Sequence, residues 1–340
     1  MTLNTLWYSQ HPLRFALIPL SKLFCAIVKM RRFAYKHDLL TRNRISVPVI
    51  IVGNITVGGT GKTPLVIWLG QFLKKQGFKP GIVSRGYGGN AKKWPQSVLN
   101  NSDPRLVGDE SVLIAKHSGC PVAVAPQRIE AAQSLLDKTG CNIIISDDGL
   151  QHYALHRDIE IVVVDGIRCY GNGHCLPAGP LRESVSRLEY IDFLVVKKFK
   201  KQLLQKMGGM TTVQEFQMQN HFKPLRHVID DSIVQLSALH NHAVHAVAGI
   251  GHPTQFFNHL REQGFKVHCH EFPDHHYYKK FDIQFDDNLP VIMTEKDAVK
   301  CRDFAKIQHW YLPIEAHLPQ KFCKLLLHKI KRIKDGKSVA

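Results

Sequence analysis

The sequence predicts an α/β protein built on a mostly parallel sheet that is covered by helices. Short runs of apolar and β-branched residues recur along the chain, and most are separated by segments of helical length. Runs without polar alternation are typical of strands that are buried on both faces, as in parallel sheets. Because ligands bind beyond the carboxyl ends of such strands, the loops after these runs should carry the functional residues.

The apolar runs divide the chain into two α/β regions. The first region contains a predicted helix from about Thr63 to Gln76 and predicted strands at residues 47–53, 81–84, 121–125, 142–146, 159–165 and 191–196. The pattern becomes polar and mixed between about Lys197 and Asp231, where we place a domain junction.

The second region is smaller and ends in a basic helix. It contains a predicted helix from about Pro253 and apolar runs at residues 244–250, 265–272 and 290–294. We therefore predict an N-terminal helix at residues 1–40, a first domain at 41–215, and a second domain at 216–340 that closes over the functional site.

The composition is that of a globular protein with an excess of basic residues. The 340 residues are 44% hydrophobic and 21% charged, which favours neither disorder nor a bundle of membrane spans. Basic residues number 45 against 28 acidic ones, and the net charge of +17 favours an anionic partner: nucleic acid, acidic lipid or a phosphorylated substrate. The eight cysteines form no CxxC pair, so we expect neither a disulfide framework nor a zinc ribbon, and a reducing cytoplasm.

The N-terminal segment predicts an amphipathic helix. Charged residues leave no run of about 18 uncharged apolar residues, so a spanning helix is not expected. At about 100° per residue, one sector of about 80° holds the basic side chains Arg14, Lys22, Lys29, Arg32 and Lys36. The opposite side holds Leu20, Leu23, Phe24, Ile27 and Met30. Such a helix lies in a membrane interface or packs on its own domain, and Pro19 should break or kink it.

A glycine-rich turn follows the first predicted strand and opens the first helix of the core. Its glycines, its lysine and the positive end of the helix are suited to bind phosphate, which predicts a P-loop NTPase-like nucleotide site. The residues predicted to bind the nucleotide are Thr56, Val57, Gly58, Gly59, Thr60, Gly61, Lys62 and Thr63. Thr56 stands where the usual motif has its first glycine, so the loop is a variant. The ATPase switches of cell division and plasmid partition have an extra lysine at the position of Val57, which weakens that alternative.

Two acidic residues, Asp147 and Asp148, follow the strand predicted at residues 142–146. Carboxylates at this place hold Mg²⁺ together with the P-loop threonine, here Thr63. The sequence leaves open which aspartate binds the metal.

Other loops offer candidates for a second substrate and for proton transfer. Arg85 and Tyr87 lie among glycines after a strand, and a long glycine- and proline-rich loop carries Arg182 and Glu183. Asp109 begins a helix as an N-cap or acts as a base. His275 lies beside Asp274, a pairing that suits proton transfer. Residues 294–300 are expected to form a capping turn with salt bridges.

Eight segments in this order resemble the tetraacyldisaccharide 4'-kinases of lipid A biosynthesis. They are GNITVGGTGKTP, SRGYGG, VGDE, SDDGLQH, LPAGPLRE, AGIGHPTQFF, FPDHH and TEKDAVK, and the resemblance covers about residues 10–300. The family's phosphate loop is similar in lacking the first glycine. His252 differs from the asparagine expected there.

The resemblance implies an enzyme that transfers the γ-phosphoryl group of ATP to the 4'-hydroxyl of an acylated disaccharide 1-phosphate. It implies a peripheral protein at the cytoplasmic face of the bacterial inner membrane. Lys62 would neutralise the phosphates, Thr63 with Asp147 or Asp148 would hold Mg²⁺, and Asp109 with His275 would take the hydroxyl proton. Arg85, Gln151 and Glu183 would line the acceptor side, where Tyr87 also lies.

Two rival classes predict different chemistry. A membrane-bound ATPase switch of the partition type would hydrolyse ATP without an acceptor and would not need Asp109 and His275. A nucleic-acid-binding protein is motivated by charge alone and predicts aromatic residues interleaved with basic ones. The basic residues concentrate instead in terminal amphipathic segments, so we expect no nucleic-acid partner.

Overall fold

The structure, a computed structural model, describes residues 7–8, 12–197, 213–235 and 243–336. The strands of its larger sheet are β1 (Val49–Gly53), β2 (Pro80–Ser84), β3 (Gln96–Val98), β4 (Val122–Val124), β5 (Ile143–Asp147), β6 (Ile159–Asp165), β7 (Phe193–Lys197), β8 (Glu215–Phe222) and β15 (Ile314–His317). Their order is β15-β8-β7-β6-β1-β5-β2-β4-β3. All neighbours are parallel except the two edge strands, β3 and β15. The predicted α/β class with a mostly parallel sheet is confirmed.

Helices cover both faces of this sheet. The helices are α1 (Leu13–Lys36), α2 (Lys62–Lys75), α3 (Pro104–Val107), α4 (Asp109–Ser118), α5 (Arg128–Thr139), α6 (Pro253–Glu262), α7 (Glu295–Cys301) and α8 (Gln320–Lys334). Ile50 and Val52 of β1 face the cluster formed with α2 and α8. Val49 and Ile51 point the other way, into a cluster on which Phe24 of α1 packs. The central strand is therefore apolar on both faces, as its unbroken run of apolar residues predicts.

A second, smaller sheet follows the first. Its strands are β9 (Leu225–His227), β10 (Ile233–Val234), β11 (Ala243–Ala248), β12 (Lys266–Glu271), β13 (Val291–Thr294) and β14 (His309–Leu312), in the order β10-β9-β14-β13-β11-β12. These strands with α6 and α7 are called the second lobe below, and the larger sheet with its helices is the first lobe.

The chain crosses between the lobes more than once. The predicted division after residue 215 falls at the start of β8, which pairs with β7 in the first lobe. After the second lobe, β15 pairs with β8, and α8 packs on the first lobe through Phe322, Leu326 and Ile330. Residues 198–212 of the predicted junction lie outside the described residues, and the division into domains stays a prediction.

Helix α1 packs on the first lobe along one side. The Ser21 hydroxyl donates to the carbonyl of Cys175 at 2.7 Å. Cys25 and Cys175 form a disulfide with their Cα atoms 6.2 Å apart, although the cysteine pattern led us to expect no disulfide framework. A pair separated by 150 residues carries no spacing signal that sequence inspection detects. The helix also continues through Pro19, so the break that we expected as one alternative does not occur.

The other side of α1 is apolar and exposed. Its exposed side chains are Phe15, Leu20, Leu23, Ile27, Met30 and Phe33. Thus the packed and interfacial alternatives are not exclusive, because α1 packs on the lobe and still leaves an apolar surface uncovered. No helix within the described part of the chain is long and apolar enough to cross a membrane.

Candidate active site

The loops at the carboxyl ends of β1, β2 and β5 open onto one cleft between the lobes. The cleft has a volume of about 1570 Å³. The predicted site residues that line it are Val57, Gly58, Gly59, Thr60, Gly61, Lys62, Thr63, Arg85, Tyr87, Asp147, Asp148, Gln151 and His275. Thr56, Asp109 and Glu183 are buried in its walls. Residues spread over 220 positions of sequence thus meet where the parallel sheet places its ligands.

The phosphate loop is held in shape before any ligand binds. Gly61 has φ +90° directly before α2, a left-handed conformation that favours glycine. The side-chain amide of Asn54 donates to the Thr56 carbonyl at 2.8 Å and to the Thr60 hydroxyl at 3.1 Å. Thr56 is buried and pairs through its backbone with Leu181. Thr56, which replaces the first glycine of the usual motif, therefore packs the phosphate loop against the segment that contains Leu181.

The adjacent aspartates at the end of β5 have different surroundings. Asp148 binds Lys62 at 3.4 Å and Arg182 at 3.1 Å. Asp147 is 1% exposed, and its Oδ2 accepts from the Ser84 hydroxyl at 3.3 Å. Its Oδ1 has no hydrogen-bond partner among the described residues.

These surroundings drive the two pKa values apart. Burial, together with the neighbouring carboxylates of Glu110 and Asp148, raises the pKa of Asp147 to about 7. Burial would raise the pKa of Asp148 as well, but Lys62 and Arg182 outweigh it and lower that pKa to about 2. A buried carboxylate oxygen without a partner suits a hard cation, so the residues present fit Mg²⁺.

The two lobes meet at the pair formed by Asp109 and His275. Asp109 is the first residue of α4, with Gly108 as the N-cap, and Nδ1 of His275 lies 3.1 Å from its Oδ2. Burial would raise the pKa of Asp109, but the bond from His275 and the charge of Lys296 hold it below its ordinary value. His275 has φ +61°, an uncommon conformation for a non-glycine residue that occurs at functional sites. The residue pattern alone singled out both residues without pairing them, and only the family resemblance implied that they act together.

The predicted acceptor-side residues lie at different depths. Arg85 and Tyr87 line the cleft, and the Tyr87 ring lies 4.9 Å from the His275 ring between centroids. The Gln151 amide donates to Glu183 at 2.7 Å. Glu183 is 2% exposed and also accepts from the Tyr153 hydroxyl, so it lies behind Gln151 in the cleft wall.

Four cations of the cleft were not predicted to be site residues. Arg31 reaches it from α1, Arg128 from the start of α5, Lys197 from the end of β7, and Lys296 from α7. Arg128 follows β4 at the carboxyl edge of the sheet, a position that could have suggested a role. Arg31 lies in the predicted amphipathic helix and Lys296 in the predicted capping turn, so neither was expected to line a site.

The fold and the cleft define a phosphotransferase of the P-loop class, with a glycine-rich phosphate loop, two adjacent aspartates at the end of β5 and a hydrogen-bonded Asp109–His275 pair. The family model for LpxK, tetraacyldisaccharide-1-P 4'-kinase, matches residues 13–331. The chain therefore belongs to this family, which confirms the predicted kinase class. A switch ATPase of the partition type is not favoured.

Similar proteins cover almost the whole chain. A tetraacyldisaccharide 4'-kinase of Nitrosococcus oceani is 49% identical over 93% of this chain and 90% of that protein. One from Tolumonas auensis is 46% identical over 98% of this chain and 99% of that protein. A crystal structure of LpxK from Aquifex aeolicus in complex with ATP has a TM-score of 0.79 and 30% identity, covering 94% of this chain and 99% of the other.

Proposed function

We propose that the cleft residues divide among themselves the work of an ATP-dependent lipid A 4'-kinase. The reaction moves the γ-phosphoryl group of ATP to the 4'-hydroxyl of a tetraacylated glucosamine disaccharide 1-phosphate. The bond between the γ-phosphorus and the oxygen that leaves with ADP breaks, and a bond to the 4'-oxygen forms. The observation that carries the assignment is that the phosphate loop, Asp147 and His275 line one cleft.

The first lobe binds the nucleotide phosphates. The loop from Thr56 to Thr63 presents backbone N–H groups and the positive end of α2. Lys62, now paired with Asp148, supplies an ammonium to the β and γ phosphates. Thr63 and Asp147 would hold Mg²⁺, with Asp148 as a second carboxylate beside them. When bound, Mg²⁺ neutralises charge on the phosphate oxygens.

The pair of Asp109 and His275 receives the proton of the sugar hydroxyl. Their contact at 3.1 Å joins a carboxylate whose pKa is low to a ring that orients it. Arg85, Tyr87 and Gln151 lie on the acceptor side of the cleft. Glu183 is assigned to hold Gln151 in place, since its carboxylate accepts from that amide.

Helix α1 brings the enzyme to its lipid substrate. Leu20, Leu23 and Met30 are more than half exposed, and Lys22 and Lys29 are exposed beside them. An apolar face with flanking lysines suits the surface of an anionic membrane. We therefore place the protein peripherally at the cytoplasmic face of the inner membrane, where an acylated anionic acceptor would lie.

Replacement of the proposed base tests this division of roles. Asp109→Asn keeps the shape of the side chain and removes its basicity, so kcat should fall about 10²- to 10⁴-fold. Asp103→Asn is the matched control, because Asp103 caps α3 by accepting from the Arg105 amide and does not line the cleft. Near-normal turnover of Asp109→Asn in single-turnover assays would remove Asp109 from the proton transfer.

A further inference from the structure

Lys296 is the second residue of α7 and points its ammonium at the meeting point of the lobes. Its Nζ lies 3.0 Å from Glu110 Oε1, 3.0 Å from Asp274 Oδ1 and 3.2 Å from His275 Nε2. The side chain is only 14% exposed. The predicted capping turn is present, since the Thr294 side chain accepts from the amide of Asp297. Because Thr294 and Asp297 form the cap, the Lys296 side chain is not needed for capping and extends into the cleft.

The contact between Lys296 and His275 determines where the imidazole proton lies. An ammonium has three hydrogens and no lone pair, so it can only donate. Nε2 of His275 must therefore accept, which requires that this nitrogen carry no proton. The remaining proton lies on Nδ1 and is donated to Asp109, whose oxygens are 3.1 and 3.2 Å away. The two hydrogen bonds agree on one neutral tautomer.

We propose that Lys296 is a positioning residue that fixes the tautomer of His275 and thereby keeps Asp109 ready to accept a proton. This inference rests on the proposed role of the Asp109–His275 pair. With Nε2 engaged by the ammonium and Nδ1 donating, the carboxylate is the member of the pair that can accept the hydroxyl proton. Lys296 contacts His275 within the second lobe and Glu110 across the cleft. The hydrogen bonds that fix the tautomer therefore form where the lobes meet.

The charges around His275 show what removal of Lys296 would do. Two carboxylates, Asp109 and Asp274, and two cations, Lys296 and Lys300, lie around the ring. The Tyr87 ring packs against it edge-on. A small cavity of about 220 Å³, which His275 also lines, adds Arg105, Tyr277, Tyr278 and Lys279. Without Lys296, the two carboxylates nearest the ring would act on it with less opposition.

The sign of the expected change follows from these charges. Burial lowers the pKa of His275, but the bond to Asp109 outweighs it and the net shift is upward. The charge of Lys296 opposes that rise and also lowers the pKa of Asp109. Lys296→Met should therefore let the pair take up a proton at higher pH. The acid limb of the pH–rate profile should move to higher pH. Activity of the variant should be lost at low pH and recovered at high pH.

Two measurements on the full-length protein separate this role from packing. Nitrogen-15 NMR of labelled histidines, with the His275 signal assigned from His275→Gln, reports the tautomer and the titration midpoint directly. In Lys296→Met the midpoint should rise by about one unit, a tenfold change in the protonated to neutral ratio. The acid limb of kcat should move by a similar amount. Lys296→Arg keeps the charge and should remain near the wild-type midpoint.

Lys116→Met is the matched control. Lys116 also joins the lobes, through Asp231 at 2.7 Å, but it does not contact His275. Its removal should leave the His275 midpoint and the acid limb unchanged. An equal shift in Lys116→Met would show that Lys296 acts only through the contact between the lobes, and would overturn the inference.

The wild-type protein alone can also overturn the inference, whether or not the variants fold. A His275 ring with a proton on Nε2 at neutral pH, whether imidazolium or the other tautomer, contradicts the assigned hydrogen bond. An unchanged midpoint in Lys296→Met contradicts it as well. If the midpoint shifts as expected and the kcat profile does not, the inference about Lys296 stands and the proposed catalytic role of the pair fails.

Discussion

The Lys62 ammonium lies 3.4 Å from Oδ1 of Asp148, so the phosphate loop is tied to the end of β5. Asp147, one residue earlier, forms no ion pair within 4.0 Å among the described residues. Adjacent aspartates on one strand end thus have pKa values of about 7 and about 2. Asp148, with the low pKa, offsets the charge of Lys62. Asp147, with the high pKa, has an oxygen available for a cation.

Removal of the lysine should slow phosphoryl transfer more than it weakens the fold. Lys62→Met deletes a charge aimed at the phosphates, and kcat should fall about 10²- to 10³-fold, as for the loss of one preorganised donor. Lys75→Met, at the exposed end of the same helix, is the control and should retain normal turnover. Steady-state assays that found kcat of Lys62→Met within threefold of wild type would exclude the assigned role.

Binding of Mg²⁺ should release a proton from Asp147 at mildly acidic pH. Its raised pKa means that the carboxyl group is mostly protonated below about 7, and metal ligands must be deprotonated. Metal affinity should therefore weaken as pH falls, by up to about tenfold per unit. Calorimetry in buffers of different ionisation enthalpy should find about one proton released per Mg²⁺ at pH 6 and almost none at pH 8.5.

Asp147→Asn provides the comparison for this titration. The amide cannot titrate, so the proton release and the pH dependence should both disappear along with most of the affinity. The same release in Asp147→Asn would assign the titration to another group.

Acidic side chains on the exposed face of α1 should detach the protein from lipid. Leu20→Glu with Leu23→Glu removes two apolar contacts, each worth about 1.5–3 kcal/mol when fully buried. Cosedimentation with anionic phospholipid vesicles should fall at least about tenfold. Ile307→Glu changes a residue that is 81% exposed in the second lobe and should have no effect. Equal loss in both variants, or in neither, would contradict the assignment of α1.

The second lobe should close further on the first when nucleotide binds. The backbones already approach at the phosphate loop, since a Cβ on Gly251 would lie 3.0 Å from the Gly59 nitrogen. Ligands that bridge both walls of a cleft favour the closed arrangement. X-ray scattering with a nonhydrolysable ATP analogue should give a smaller radius of gyration than without it. Identical curves would count against closure.

The core strands could be predicted because their pattern is local. The apolar run at residues 47–53 contains β1, and the run at 159–165 matches β6. Each carries enough β-branched residues to identify a buried strand without its neighbours. The phosphate loop is local too, since its glycines, lysine and helix start lie within one short segment.

The pairings across the chain could not be predicted in the same way. Asp109 and His275 are separated by 166 residues, and only the meeting of the lobes brings them together. Asp109 also had a local explanation as a helix N-cap, but Gly108 occupies that position in the structure. The return of β15 and α8 to the first lobe is likewise set by tertiary packing, because an amphipathic helix does not specify which sheet it covers.

Glu183 shows how burial changes a role that was predicted from the sequence. Its loop is rich in glycine and proline, as binding loops are, and the residue was expected to line the acceptor side. Its carboxylate is buried with Gln151 and Tyr153. A high content of glycine and proline predicts an irregular loop, but it does not predict which way each side chain points. That direction depends on the strands that pack beside the loop.

Phosphorylation of a lipid acceptor in this cleft can be followed directly in the product. The direct test is to incubate the protein with Mg-ATP and a tetraacyldisaccharide 1-phosphate in mixed micelles, and to examine the lipid by mass spectrometry and phosphorus-31 NMR. One new phosphate monoester should form at the 4'-position for each ADP released. Release of ADP and inorganic phosphate with an unchanged lipid would contradict it.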